Sequence, residues 1–597
     1  MKHIKTFFIL IFAVNGLVSH TIRLLPAQTA EEIENSLLWR QSLGGAILSV
    51  PSAQLHTVTV LTEGGFIRTY GESGQMLWDY SVNGRLAPFL TRSNTGMTFA
   101  GRTNGSFFAL SRAGRLLWEK RLGEAVSWAP LVGWDGRVFV FLKKRIVCFT
   151  ASGNQLWEYK LDDQIYSQPA ADSKGGFIAV LNNNILLLVN AFGGVKQVEI
   201  IGPPVAVLPG VYPEILVLYP DGDIETIKNG VSPKKGIADA RAAEKQAAGK
   251  QPAGKQDAGV KIAEQAADGG IPPDSTAIRR LGGRPAAAVQ NKRHAVVLLE
   301  SGEIMLWSLD DGKPLWKKNA MLGVNRGRLL FDERGIYMFS MSGAAGWTME
   351  GAMLWNMRVQ GLAIPPALSD DGILFTGGSN WLLYAYQVEH RSRAETANIG
   401  FPYNLPYEGN YGFGTAPSSS AQMFVDAEDM DDALKSIGRL IRSGDIGTDE
   451  LAAVKMLFVL ANGGDALTSA GFTQRIEAIR LLGFIGTREM IPFLITKLHA
   501  ERDSNIKAAI VETLGKIGVD PHQQVLGHFE ALVSQAIEAK DGRLLSALAE
   551  AIGRLCRFSG PPLSDPGIRL LVTIAAARSS KAAAAIAQKQ LEELTED

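Results

Sequence analysis

Short apolar runs alternate with glycine-containing turns through the first two-thirds of the chain, and tryptophan recurs at a nearly constant interval. Successive steps are 39 or 40 residues wherever the signature is intact, and a glycine usually lies four residues before the tryptophan, as in Gly114 and Trp118. The recurring residues are Trp39, Trp78, Trp118, Trp157, Trp316 and Trp355. A period of about forty residues built of short strands predicts a β-propeller. We expect each of these rings to dock on the neighbouring blade.

The repeat continues where the tryptophan is lost, and this bears on the number of blades. One period beyond Trp157 falls on Lys196, and one period before Trp316 falls on Ile278. Residues 231–273, between these positions, are rich in Ala, Lys, Gln and Gly and predict a low-complexity insertion in one blade turn. Without it, residues 36–388 contain eight repeats, with seven blades as the alternative. We expect a strand near 37–41 to pair into the last blade and close the ring.

Residues 389–425 differ from the propeller because aromatic side chains alternate with proline and glycine. Examples are Phe401-Pro402-Tyr403 and the run from Tyr411 to Phe413. A purely solvated linker would not carry so many rings. The segment is therefore interpreted either as a strap packed along the propeller or as an extended segment that binds a partner.

Residues 426–597 show helical periodicity, because apolar side chains recur there in steps of three and four. The motif Leu-Gly-x-Ile-Gly at 482–486 recurs 32 residues later at 514–518. Paired helices at such a period predict an α-solenoid of HEAT-like helix pairs. The predicted fold class is multidomain, β then α: an eight-bladed β-propeller followed by this α-solenoid.

The N-terminus carries Lys2 and Lys5 before an apolar run from Phe7 to Val18. This pattern predicts a signal peptide over residues 1–30 and export to the periplasm. The sequence leaves open whether the leader is cleaved or retained as an anchor, because no clean cleavage box follows the apolar run. No cysteine lies near the end of the leader, so bacterial lipidation is not expected.

Charge and cysteine content exclude several classes of function. The 597 residues contain 60 Lys and Arg and 60 Asp and Glu, so no net field favours nucleic acid or an anionic membrane. Only two cysteines occur, Cys148 and Cys556, which argues against a disulfide scaffold and a cysteine-based zinc site. Peripheral association with a membrane and the oligomeric state are left open.

The turn-and-tryptophan pattern resembles the repeat of quinoprotein-type (PQQ-like) β-propellers, in which glycine, three residues and tryptophan follow a strand. The stretch from Ala109 to Trp118 is the clearest copy, and Leu309 to Trp316 is another. The resemblance implies the propeller fold for residues 36–388. It also implies either a dehydrogenase that binds pyrroloquinoline quinone or a scaffold such as the propeller subunit of the outer-membrane β-barrel assembly machinery. That subunit is a lipoprotein, and this chain lacks the cysteine for lipidation. The C-terminal third resembles HEAT repeats, another interaction fold.

No catalytic, cofactor-binding or metal site is apparent in the sequence. The resemblance to the quinone enzymes would imply an adjacent pair of cysteines over the cofactor, and the predicted propeller contains only Cys148. Acidic pairs such as Asp370-Asp371 fall at blade turns, where local hydrogen bonding favours aspartate. His56 stands alone in the sequence.

The predicted function is an exported, non-enzymatic scaffold without a cofactor, possessing two interaction folds in tandem. Its propeller and helical-repeat surfaces would bind other proteins of the cell envelope. The expected role of this binding is in the assembly of the envelope. The alternative is a quinone- or sugar-binding enzyme, or a ligand sensor, that uses the central channel of the propeller.

Overall fold

The computed structural model describes most of two regions, residues 36–389 and 430–595. The gaps within them are residues 55, 134, 173–174, 210–213, 229–278, 292, 310, 312, 333, 360, 444–445, 447–449, 464–469, 487–489, 519, 521–523 and 561–563. The predicted leader (1–30), the predicted insertion (231–273) and all but the first residue of the 389–425 segment lie outside the described residues.

Eight antiparallel sheets of four strands each form the first of these regions. The eight-bladed propeller is therefore confirmed, and the seven-bladed alternative is wrong. The ring closes as expected, because β1 (Leu37–Ser42) pairs antiparallel with β32 (Leu382–Gln387) and becomes the outermost strand of the last blade. Strands from the two ends of the propeller sequence thus share one sheet. Blade 8 therefore has the same four strands as the other blades, and the ring is closed.

Blades 1 to 4 consist of consecutive strands in sheet order. Their bounds are β2 (Ser52–Gln54), β3 (Thr57–Leu61), β4 (Phe66–Gly71), β5 (Met76–Ser81); β6 (Leu86–Arg92), β7 (Thr98–Arg102), β8 (Ser106–Leu110), β9 (Leu116–Arg121); β10 (Leu131–Val132), β11 (Val138–Phe141), β12 (Arg145–Phe149), β13 (Gln155–Lys160); β14 (Ala170–Ala171), β15 (Phe177–Val180), β16 (Ile185–Val189), β17 (Val195–Glu199).

Blades 5 to 7 follow the same order, and blade 8 combines β30 to β32 with β1. Their bounds are β18 (Ala206–Pro209), β19 (Glu214–Leu218), β20 (Asp223–Lys228), β21 (Arg279–Arg280); β22 (Pro285–Gln290), β23 (His294–Leu299), β24 (Glu303–Ser308), β25 (Lys313–Asn319); β26 (Arg328–Phe331), β27 (Ile336–Ser340), β28 (Gly343–Trp347), β29 (Met353–Arg358); β30 (Ala367–Leu368), β31 (Ile373–Gly377).

Within each blade the four strands are arranged in order from the central channel to the outer surface. First strands of neighbouring blades contact one another around the ring, so they line the centre, and the fourth strands are outermost. Second and third strands such as β8 and β27 are buried at every residue, because neighbouring blades cover both faces. This explains why they are continuous apolar runs. We call the end of the propeller that carries the turns between third and fourth strands the turn face.

The two repeats without tryptophan fall where the period predicts. Lys196 lies in β17, the fourth strand of blade 4, and β21 begins one residue after the predicted position at 278. Residues 229–278 join the third and fourth strands of blade 5. The blade period is therefore maintained by the glycine turns and apolar strands even where the ring of a tryptophan is missing.

Nine helices stack in the described part of the second region. Their bounds are α1 (Met430–Ser443), α2 (Glu450–Ala461), α3 (Phe472–Ile485), α4 (Met490–Ala500), α5 (Ser504–Ile517), α6 (Gln524–Glu538), α7 (Gly542–Ser559), α8 (Asp565–Ala576) and α9 (Lys581–Thr595). The odd-numbered helices contact one another in succession, and α4, α6 and α8 form a second layer against them. None of these helices is long and apolar enough to span a membrane.

The repeated glycines explain how the odd-numbered helices approach one another. A Cβ atom on Gly483 of α3 would lie 3.0 Å from Thr513 of α5, and one on Gly515 of α5 would lie 2.7 Å from Ala551 of α7. The first glycine of each motif therefore gives room for the next helix. The second glycine, Gly486 or Gly518, adopts a left-handed conformation and ends the helix.

A glycine-to-alanine pair tests this explanation. We expect Gly515→Ala to lower the free energy of unfolding of the helical region by about 1–3 kcal/mol, because the added methyl group overlaps Ala551. Gly527→Ala is the control, since a Cβ there would meet no atom within 4 Å, and higher helix propensity should stabilise α6 by about 0.5–1 kcal/mol. Urea unfolding followed by circular dichroism measures both. Equal effects of the two changes would contradict the close-packing role.

Candidate interaction surface

Five of the six sequence-predicted tryptophans lie against the turn of the next blade. Trp118 Nε1 donates a hydrogen bond to the carbonyl oxygen of Ala151 at 2.7 Å, and a Cβ on Gly153 would lie 2.7 Å from the Trp118 ring. The equivalent hydrogen bonds run from Trp39 to Glu72, Trp78 to Arg112, Trp157 to Ala191 and Trp316 to Met349. Gly153 has φ +84°, a conformation that favours glycine. The energetic weight of this docking stays a prediction.

Trp355 differs because blade 8 has no ordinary turn between its third and fourth strands. Its Nε1 atom donates to Oε1 of Glu389 at 2.5 Å, so a carboxylate replaces the backbone carbonyl used by the other five tryptophans. Glu389 is the second residue after the end of β32, where the chain leaves the propeller. This side chain marks the point where the chain leaves the propeller and the 389–425 segment begins.

The helical region docks on the turn face at blades 2 and 3. Asn154, in the turn of blade 3, donates to the carbonyl oxygen of Phe484 at 3.0 Å. Arg115, beside the turn of blade 2, donates to the carbonyl oxygen of Leu594 at 3.1 Å. Helix α1 also packs against β13, the outermost strand of blade 3. The ends of α3 and α9 are thus fixed to two neighbouring turns.

This docking covers one of a series of equivalent side chains. The residue before the tryptophan is 49% exposed at Leu77 of blade 1 and 36% exposed at Leu117 of blade 2, but only 1% exposed at Leu156 of blade 3. Leu38 and Leu315 on blades 8 and 6 are exposed as well. Because the motif is the same, the difference in exposure comes from the helices that cover blade 3.

Blades 1 and 2 keep two uncovered pairs of apolar side chains beside the docked helices. We call Met76, Leu77, Leu116 and Leu117 the apolar rim; all four are exposed on the outer strands β5 and β9. Contiguous exposed apolar side chains with polar surroundings are typical of protein-binding surfaces. The apolar rim occupies on blades 1 and 2 the same positions that the helices cover on blade 3.

A recess opens at the turn face between blades 1 and 2, next to the apolar rim. Its cavity volume is about 540 Å³. The lining residues are His56, Thr57, Gly71, Glu72, Ser73, Gln75, Leu77 and Arg112. Leu77 belongs to both the recess and the rim, so the two form one continuous surface.

Two arginines set the electrostatics at the recess, because Arg112 lines it and Arg92 contacts the lining residue Thr57. Arg92 is 6% exposed, and its Nη1 atom donates to Oγ1 of Thr57 at 2.9 Å while its Nε atom has no hydrogen-bond partner. Burial, together with the neighbouring charge of Arg112, lowers the pKa of Arg92 to about 10. Burial also lowers the pKa of Arg112. Within the described residues neither arginine forms an ion pair with a carboxylate, so Arg112 favours an acidic ligand at its side of a lining that also contains Glu72.

The structure brings together residues that the sequence did not associate. His56 stands alone in the sequence, but its Nδ1 atom lies 2.6 Å from Glu72 and 2.8 Å from Asp371. The sequence predicts a turn at Asp371, and this residue does lie in a turn of blade 8. No spacing rule could reveal this cluster, because His56 and Asp371 are 315 positions apart.

The cysteines and the metal-ligating side chains are the groups to consider for catalysis. Cys148 and Cys556 are both buried, and burial raises the pKa of the Cys556 thiol to about 12, which keeps it protonated. In the part of the chain that the structure describes, one group of three metal-ligating side chains occurs, and it lies on the turn face. The channel alternative therefore stays a prediction without an identified site.

Comparisons with known proteins concern the propeller. Residues 103–194 match the family profile described as outer membrane protein assembly factor BamB. The crystal structure of BamB from Moraxella catarrhalis is similar with a TM-score of 0.42 and 10% identity, covering 59% of this chain and 99% of that chain. The computationally designed Ika8 protein gives 0.41 and 13%, covering 58% and 98%. The C-terminal WD40 domain of Sif2 gives 0.43 and 9%, covering 59% and 98%. No curated protein matches the chain.

Proposed function

We propose that this protein is an exported, non-enzymatic scaffold that binds other proteins through its propeller and its helical repeats. The observation that carries the proposal is the surface on blades 1 and 2, where the apolar rim adjoins the arginine recess. Apolar side chains supply buried area, and arginine is enriched at the energetic centres of interfaces. A polypeptide segment that carries a carboxylate among apolar side chains would complement both parts.

The helical region supplies a second binding surface in this proposal. Its stacked layers and the 32-residue recurrence of the glycine motif support HEAT-like repeats. Such stacks present extended surfaces suited to polypeptide partners. Because the helices are fixed to blades 2 and 3, a partner on the apolar rim would also lie close to the ends of α7 and α9.

The cell envelope is the proposed location. The basic and apolar N-terminus supports export to the periplasm without lipidation. The matching family profile is named for outer membrane protein assembly, which supports a partner among envelope proteins. Assembly of outer-membrane proteins is therefore the process in which we would first look for this partner.

Charge reversal in the recess tests the proposed surface. Arg112→Glu should lower the recovery of crosslinked partner about tenfold, because an acidic ligand would then meet a like charge. Arg121→Glu is the control, since Arg121 is exposed at the end of β9 and outside the recess. The measurement is crosslinking in intact cells with the full-length chain, followed by quantitative mass spectrometry.

Two outcomes would contradict the proposal at different levels. Equal recovery from Arg112→Glu and the unchanged chain would show that the recess does not bind the partner. Failure to recover any protein reproducibly, even with the unchanged chain, would contradict the scaffold function itself and favour a small ligand in the channel. A truncation after residue 425 distinguishes partners of the propeller from those of the helices.

A further inference from the structure

Three side chains from two blades converge where the ring closes. His56 lies in the turn between β2 and β3, Glu72 between β4 and β5, and Asp371 between β30 and β31. Nδ1 of His56 lies 2.6 Å from Oε1 of Glu72 and 2.8 Å from Oδ2 of Asp371. All three ligand atoms lie within 4.8 Å of one another. The cluster therefore connects blade 1 to blade 8.

One ring nitrogen faces two carboxylate oxygens in this cluster. Nδ1 carries at most one proton, so it cannot donate well-aligned hydrogen bonds to two carboxylates at once. Two carboxylates held this close also repel each other. A divalent cation would take the nitrogen and both oxygens as ligands and offset both negative charges.

We propose that His56, Glu72 and Asp371 bind a divalent transition-metal ion, with zinc as the best match, across the junction of blades 8 and 1. One imidazole nitrogen and two carboxylate oxygens form a three-ligand zinc set with a position left for water. Calcium matches less well because it takes about six to eight oxygen ligands. The recess on which His56 and Glu72 open provides space for the water ligand.

The backbone around the cluster holds the three side chains in place. His56 has φ +60°, a left-handed conformation that is unfavourable for most side chains and occurs mainly at constrained sites. Trp39 Nε1 donates to the backbone oxygen of Glu72 at 2.6 Å, and Gln387 donates to the backbone oxygen of Asp371 at 3.3 Å. The turns of Glu72 and Asp371 are therefore held by neighbouring side chains, and His56 has a constrained backbone conformation.

The two nitrogen–oxygen distances are within about 1 Å of those in a zinc site. Tetrahedral zinc with bonds of about 2.0–2.2 Å places its ligand atoms about 3.3 Å apart. The nitrogen–oxygen distances of 2.6 and 2.8 Å would need to widen by about 0.7 and 0.5 Å. His56 is 49% exposed, so it can move that far and the ion has a route in from solvent.

The position of the cluster suggests what the ion would do. Strand β1 closes the ring through its hydrogen-bonded pairing with β32, and no disulfide secures that pairing. An ion bound only when both blades are in place would stabilise the closed ring by mass action. This inference does not depend on the proposed scaffold function.

Isothermal titration calorimetry of the untagged, chelator-treated full-length protein with zinc chloride tests the proposal. We expect one zinc ion per chain at this site, and His56→Ala and Asp371→Asn should each weaken its affinity at least tenfold. His294→Ala is the control, because His294 lies in β23 of blade 6. His499 and His528 lie 2.9 Å apart in the helical region, so His528→Ala separates any contribution from that pair.

Zinc should also raise the melting temperature of the unchanged protein and not that of Asp371→Asn. If that variant fails to fold by circular dichroism, the visible spectrum of the cobalt-substituted unchanged protein, and its alteration by Glu72→Gln, answers the same question. Zinc binding that is absent, or that persists undiminished in all three ligand variants, would overturn the proposal. Calcium at the same concentration should produce no comparable shift.

Discussion

Replacement of Trp118 with alanine should lower the free energy of unfolding of the propeller by about 3–5 kcal/mol. The Trp118 ring lies 5.8 Å from Phe107 in its own blade and 5.9 Å from Phe149 in the next one, between ring centroids. Its Nε1 atom also binds the carbonyl oxygen of Ala151 in the turn of blade 3. Alanine removes the aromatic contacts and the hydrogen bond together and leaves a cavity between two blades.

Trp381→Ala is the matched control for this experiment. Trp381 lies in a turn of blade 8 and is 55% exposed, so its removal should cost about 1 kcal/mol or less. Far-UV circular dichroism in urea measures both variants without relying on tryptophan fluorescence. If the two variants unfolded at the same urea concentration, the recurring tryptophans would not carry the blade contacts that their spacing implies.

The propeller was predictable because each blade repeats the same local constraints. A glycine turn, an apolar strand and a ring of fixed size recur within about forty residues, so the pattern survives the loss of one element. Lys196 shows this, since the fourth strand of blade 4 forms around it without an aromatic ring. Closure by β1 was a geometric expectation rather than a pattern in the sequence, and the pairing of β1 with β32 confirms it.

The recess and the histidine cluster could not be predicted from the same pattern. His56 and Asp371 come from opposite ends of the propeller sequence, and only ring closure makes them neighbours. The two arginines have a similar origin, because Arg92 ends the first strand of blade 2 and Arg112 lies in a later turn of that blade. Their local sequences show ordinary turns. Among the described residues neither arginine forms an ion pair with a carboxylate, and this follows from the packing of the blades.

The helical region has one feature that the sequence could predict and one that it could not. Its repeated glycines were visible in the sequence, and the structure explains them by the close approach of successive odd-numbered helices. The surface on which these helices dock was not visible, because Leu77, Leu117 and Leu156 occupy the same position in the same motif. Only the exposure of these side chains shows that blade 3 is the docked one.

A charge at that docked position should separate the two regions. In Leu156→Asp, a carboxylate replaces a leucine that is 1% exposed, on the strand against which α1 packs. Loss of the buried leucine side chain costs about 2–3 kcal/mol, and an unpaired buried charge adds several more. We therefore expect α1 to detach, with faster hydrogen exchange in β13 and α1 and a larger radius of gyration in small-angle X-ray scattering.

Leu315→Asp is the control, because Leu315 holds the same position on blade 6 and is exposed. The carboxylate remains in water there, so the scattering profile and the exchange of β13 should not change. If both variants left the two regions associated, the contacts of Asn154 and Arg115 with the helix ends would have to be sufficient for docking. Separation in Leu156→Asp alone would establish that α1 on blade 3 holds the helices to the propeller, beside an apolar rim left free for a partner.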